Sequence, residues 1–157
     1  MTTQWLDDDE RSLWKRLLTI GEYLPPAVDS RLRKSAGLTL YEYYVLAMLS
    51  ESPTRSRLMT DLAIATNGSL SRLSHAATKL ENNGWITRDF APGQRRSTVA
   101  TLTELGWRKV VETAPGHVNT VRELIFDRLT PDQTRTLLNA LEPLFGPDWP
   151  TQGSRPL

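Results

Sequence analysis

Apolar residues recur at helical spacing through most of this chain and switch to strict alternation in one central stretch. Leu13, Trp14, Leu17, Leu18 and Leu24 set a first helix. The acidic run Asp7-Asp8-Asp9-Glu10 opens it, because negative charge suits a helix N-terminus. Pro25-Pro26 predicts a break or kink: neither residue has an N–H, and Leu24 is pushed out of helical geometry. Helix resumes through Val28, Leu32 and Arg33 and stops at Gly37. Thr39-Leu40-Tyr41-Glu42 is a capping box for a second helix, with Leu46 and Leu49 inside and Ser52-Pro53 at its end. A third, short helix is expected over 57–66 on Leu58, Leu62 and Ala63. Asn67-Gly68 is a turn, and a fourth helix follows at once from Ser69. Leu70, Leu73, Ala77 and Leu80 form its expected inner face, and Asn83-Gly84 closes it. Two short helices joined by a tight turn make a helix-turn-helix.

The texture then changes. Trp85-Ile86-Thr87-Arg88-Asp89-Phe90 and Ser97-Thr98-Val99-Ala100-Thr101-Leu102 both alternate, with Ala91-Pro92-Gly93-Gln94-Arg95-Arg96 as the loop between them. A hairpin with a basic tip directly after a helix-turn-helix is the order a winged helix requires. From Thr103 helical spacing runs to about residue 129, with an interruption expected at Ala114-Pro115-Gly116. Thr130-Pro131-Asp132-Gln133 is a second capping box, opening a last helix with Leu137, Leu138, Leu141, Leu144 and Phe145. The fold class is therefore mainly α with a small antiparallel β wing. The expected organisation is an N-terminal dimerisation helix (1–36), a winged helix-turn-helix lobe (37–103), C-terminal dimerisation helices (104–146) and a disordered tail (147–157).

Composition narrows the function. A chain of 157 residues with 39% hydrophobic content can bury a core, which excludes global disorder. No run of 18 apolar residues is present to span a membrane, and the N-terminus lacks the pattern of a signal peptide, so a cytoplasmic location is expected. Without cysteine there is no disulfide or thiolate metal site, and His75 and His117 stand 42 residues apart without clustered ligands. His75 has serine neighbours on one helix but no orienting acid or oxyanion site, and no phosphate-cradling glycine loop occurs. No enzymatic role and no cofactor are expected. Net charge is only +1, yet nine basic residues stand against four acidic ones between Arg55 and Lys109. A neutral total thus hides a basic centre of about +5, which fits a middle that meets phosphates.

With the apolar face of the fourth helix turned inward, Ser69, Ser71, Arg72, His75, Ala76 and Lys79 face out. Such a face is either merely solvated or set against DNA. Small residues permit close approach, Arg reads guanine and Ser bonds phosphate, and the following wing favours DNA. Arg95 and Arg96 are placed to enter or straddle a minor groove. Arg88 fits either a phosphate contact or an internal salt bridge. His75 and His117 read as hydrogen-bonding surface residues. Apolar stripes on both terminal segments (Leu13, Leu17, Leu18; Leu137, Leu141, Leu144) have no evident partner within so small a lobe and predict a twofold dimer.

Together Leu38-Thr39…Glu42-Tyr43…Leu46, Leu62-Ala63, Ser71-Arg72-Leu73…Leu80-Glu81…Gly84-Trp85-Ile86…Arg88 and Arg95-Arg96…Leu102-Thr103…Gly106 resemble the MarR family of bacterial regulators, in a branch frequent in actinobacteria. The resemblance covers roughly residues 10–145. It implies a triangular homodimer that binds an inverted-repeat operator in double-stranded DNA and acts as a transcriptional regulator, in all expectation a repressor. The wing departs from the family pattern, with Gln94 where an Asp usually precedes the arginine, so the loop loses an ionic tie. The resemblance also suggests a small aromatic or anionic effector, for which Trp14, Tyr44 and Trp107 are the candidate pocket residues. Core packing is the competing role for each aromatic. A winged helix reused as a protein-interaction module is the alternative to DNA binding, and it would lack basic residues on wing and recognition face.

Overall fold

Asp7 opens the first helix with a reciprocal cap: its carboxylate accepts the Glu10 amide at 2.8 Å, and the Glu10 carboxylate accepts the Asp7 amide at 2.9 Å. In the structure, a computed structural model that describes residues 2–145 apart from the side chains of Gln94 and Arg95, this helix (α1) spans Asp8–Ala36. The expected tail at 147–157 and the expected roles of the Gln94 and Arg95 side chains lie outside the described residues. Contrary to the break expected at Pro25-Pro26, α1 runs through both prolines. The carbonyls that lose their donors belong to Gly21 and Glu22, which are exposed, so solvent can satisfy them. Gly37 ends the helix in the left-handed region, its amide on the Arg33 carbonyl.

Helix α2 (Leu40–Ser50) carries the Thr39/Glu42 capping box and is buried along most of its length. Next comes a short strand, β1 (Ser56–Leu58), where helix was expected from residue 57. It pairs antiparallel with the base of the hairpin's second strand, Arg57 opposite Ala100. Three residues are too few for alternation to register, and the edge of the hairpin supplies the partner. Helix α3 is correspondingly shorter, Met59–Ala65. Asn67 (φ 50°) makes the turn into α4, Leu70–Asn82. Strands β2 (Ile86–Ala91) and β3 (Gln94–Leu102) form the hairpin, which leaves only Pro92-Gly93 as the turn. Arg95 and Arg96 thus start β3 rather than sit in the loop. The sheet order is β1-β3-β2.

Leu38, Leu46, Leu49, Leu62, Leu73, Leu80 and Ile86 are the fully buried centre, where α2, α3, α4 and the sheet meet. Truncating one of these leucines to Ala costs about 2–5 kcal/mol. Helix α5 (Glu104–Leu124) begins against this lobe and passes through Pro115 without the expected interruption. Pro115 is exposed, as is Val111, whose carbonyl loses its donor. Gly106 is demanded by packing, since a Cβ there would lie 2.0 Å from the Trp85 carbonyl oxygen. A single 3-10 turn (Phe126–Arg128) leads to α6 (Pro131–Leu141), followed by another (Glu142–Leu144). Helix α1 packs on α5, and Arg31 and Glu123 bridge the two. Among the described residues no helix is long and apolar enough to cross a membrane.

Candidate nucleic-acid interface

Ser69 caps α4, its hydroxyl accepting the Arg72 amide at 3.1 Å. The helix rotates slightly from its expected setting. Leu73, Ala76, Ala77 and Leu80 are the buried positions, a clean i, i+3, i+4, i+7 stripe, whereas Leu70 is 49% exposed. Ala76 is therefore core and not a DNA-facing residue. Leu70 instead lines a cleft of about 210 Å³ between α4 and the wing, along with Arg96, Arg88 and Ser74.

Ser69, Ser71, Arg72 and His75 remain exposed on the outer face, and Arg96 is exposed on the wing. Arg72 is not loose. Its guanidinium stacks on the Tyr41 ring, 4.0 Å from the centroid. Tyr41 in turn hydrogen-bonds Thr66 through its hydroxyl. Lys79 is engaged internally, donating to Glu42 at 3.0 Å. Glu42 is buried and also holds the Thr39 amide, so one carboxylate caps α2 and grips the recognition helix. Arg88 takes the internal option too. Its guanidinium meets Glu81 at 2.6 Å and reaches Thr78, and the Glu81 carboxylate also accepts the Arg88 amide. The Arg88 hydrogen bond is the main cause that holds the Glu81 carboxyl below its ordinary range. The hairpin base is thereby clamped to α4, fixing the angle between recognition helix and wing.

The aromatic candidates for an effector pocket are not brought together. Trp14 is 53% exposed on α1, and Trp107 lies beneath the Arg55 guanidinium at 4.2 Å. Tyr44 lines a cavity of about 450 Å³ between α2 and α5, whose wall includes neither Trp14 nor Trp107. His117 is likewise not a surface residue. It is half-buried in that wall, its ring centroid 4.6 Å from that of Tyr43, and burial lowers its pKa. Glu51 was not singled out by sequence, although Tyr43, Ala47, Ser50 and Glu51 recur at i, i+4, i+7 and i+8, the spacing of one helix face.

This arrangement can be set beside known proteins. No protein-family profile matches the chain. The HTH-type transcriptional repressor Rv2887 of Mycobacterium tuberculosis is 33% identical over 136 residues, covering 87% of this chain and 95% of the relative. Among solved structures, Sco3205 of Streptomyces coelicolor, a MarR family transcriptional regulator crystallised with DNA, superposes with a TM-score of 0.87 at 37% identity, covering 94% of each chain. AbsC of the same organism, also a MarR family regulator, gives 0.84 at 38% identity over 90% of this chain and 95% of that one. The chain belongs to the MarR family of winged-helix DNA-binding transcriptional regulators and is not an enzyme.

Proposed function

We propose that this regulator binds an inverted-repeat operator as a homodimer and represses by occluding the promoter. The observation that carries this reading is the outer face of α4. Ser71, Arg72 and His75 stand exposed at its N-terminal end, and Arg96 stands exposed on the adjoining wing. Helix N-termini and small polar residues suit base edges and phosphates, and an extended basic hairpin suits a minor groove. The exposed apolar positions Leu13, Trp14, Leu18, Ile20 and Tyr23 on α1, with Leu137, Leu138, Leu144 and Phe145 at the other end, support a second chain as their cover. A regulatory ligand between α2 and α5 would act by changing how the lobe is held against α5. The test is selection of DNA from a random pool by the purified protein. An inverted repeat with half-sites about 10 bp apart, or a near multiple, is expected. Enrichment of a site without dyad symmetry would contradict the twofold reading.

A further inference from the structure

The hairpin ladder runs in register from Ile86–Leu102 through Arg88–Ala100 to Phe90–Thr98. Directly opposed residues share a face, so these six side chains lie on one side of the sheet. The inner end of that face is core, with Ile86, Ala100 and Leu102 buried. Its middle is Arg88, held by Glu81 and Thr78 of α4. Its outer end is Phe90, which is 71% exposed. Beyond Phe90 the pairing jumps to Ala91–Gln94, which leaves residues 95–97 of β3 as a bulge without partners on β2. Phe90 is thus the last regular rung, and no paired residue stands beyond it on this face.

Thr98, its partner across the ladder, lines the cleft of about 210 Å³ between α4 and the wing, together with Ser74, Arg88 and Arg96. The Phe90 ring therefore stands at the wing side of that cleft. A helix in a major groove and a wing in the adjoining minor groove are separated by one sugar–phosphate strand, which has to cross between them. That strand offers phosphate oxygens to cations and hydroxyls, and the C–H faces of deoxyribose to apolar groups. We infer that Phe90 packs on the deoxyribose wall of this strand and is the apolar DNA contact of the wing. The inference rests on the DNA reading of α4 and the wing above and adds a residue to it. The surroundings select DNA as the occupant. Arg88, Arg96 and the hydroxyls of Ser74 and Thr98 line the cleft, and no carboxylate does among the described residues. Glu81 is turned to Arg88, and alternation puts Asp89 on the opposite face of the strand. A second copy of the chain has its own call elsewhere. Strand β2 packs mainly on β3 and α4, whereas the exposed apolar positions that want a cover cluster on α1 and over 137–145.

The probe is the duplex that the full-length protein selects from a random pool, end-labelled, and the readout is hydroxyl-radical footprinting, which attacks exposed deoxyribose. Wild type should protect a short run of sugars beside each half-site, and Phe90→Ser should restore cleavage within that run. The same change should weaken binding about tenfold, through lost burial of the ring in each wing. It should leave the log–log salt slope unchanged, because an apolar contact releases no counterion. Phe90→Leu should recover most of the affinity, whereas Arg96→Ala should lower the slope. The ring is exposed in the free protein, so thermal unfolding of Phe90→Ser should match wild type. A footprint and affinity unchanged in Phe90→Ser would overturn the assignment. So would a loss of affinity that comes with a smaller sedimenting mass, which would give the ring to a second copy. A wild-type footprint without dyad symmetry would contradict the twofold reading above. Cleavage restored by Phe90→Ser inside such a footprint would still uphold the sugar contact, so the two readings fail separately.

Discussion

The guanidinium of Arg72 lies 4.0 Å from the centroid of the Tyr41 ring, so a side chain of α2 braces the exposed cation that the proposed interface sets against DNA. The brace is itself anchored, because the Tyr41 hydroxyl is 3.0 Å from the Thr66 hydroxyl at the end of α3. A stacked, partly exposed pair of this kind contributes about 0.5–1 kcal/mol. Tyr41→Leu should therefore weaken operator binding about two- to fivefold, with a smaller effect on scrambled DNA, while Tyr41→Phe keeps the ring and loses little. Fluorescence anisotropy on both duplexes distinguishes these outcomes. Equal losses on both would mean that the brace serves folding only.

Gly68 makes room for the same tyrosine. A Cβ at residue 68 would lie 2.1 Å from the Tyr41 hydroxyl oxygen and 2.8 Å from Cζ, so the ring must move. Overpacking of this sort costs about 1–3 kcal/mol. Gly68→Ala should lower stability by that amount in urea denaturation, and the penalty should largely vanish in a Tyr41→Ala background. An unchanged penalty there would assign the cost to the backbone instead.

Lys79 has two candidate employers, phosphate and Glu42. Its ammonium is on the Glu42 carboxylate at 3.0 Å, and the Lys79 side chain is half exposed while Glu42 is buried. Lys79→Met should cost about 1 kcal/mol of folding stability, discounted for that exposure, and should leave the salt dependence of DNA binding nearly unchanged. A drop of about 1 in the log–log salt slope would instead place Lys79 on a phosphate.

The helix-turn-helix and hairpin were legible because both rest on periodicity, 3.6 for α4 and 2 for the strands. Two positions on α4 differ from their expected setting, each for its own reason. Leu70, at the first turn, projects past the core toward the cleft under the wing, and Ala76, small enough to pass for a surface residue, completes the buried stripe. The helices α1 and α5 tolerate their prolines because the carbonyls that lose a donor belong to exposed residues, Gly21, Glu22 and Val111. The internal duties of Lys79 and Arg88 were hidden for another reason. Their carboxylate partners sit 37 and 7 residues away, and only the folded chain brings them together. The cavity wall was the least legible part, since Trp14 and Trp107 advertise themselves by size and Glu51 and His117 do not.

The half-buried imidazole of His117 gives a pH dependence with a definite sign. Burial lowers the His117 pKa from its ordinary 6.5, so the unfolded chain binds a proton that the folded chain resists. The stability of the neutral ring is fully present above pH 6.5 and is lost as pH falls from there toward the lower folded value. Glu51, whose carboxyl burial pushes up, works in the opposite direction at lower pH. Thermal unfolding should show wild type losing stability as pH falls below 6.5, and His117→Phe should flatten that decline. Identical profiles for the two proteins would contradict a histidine that the fold holds toward its neutral form.

The central claim, two recognition helices and two wings of a twofold dimer on one operator, is tested most directly by titrating the selected operator at several salt concentrations. With Lys79 and Arg88 held internally, the proposed interface has the exposed Arg72 and Arg96 in each lobe, and the sequence-based expectation adds Arg95, for about three cations per lobe. Two lobes then neutralise about six phosphates, for a log–log slope of about −5 with one dimer per inverted repeat. A slope near −2, at one chain per site, would contradict the account, because it leaves the wings or the second subunit off the DNA.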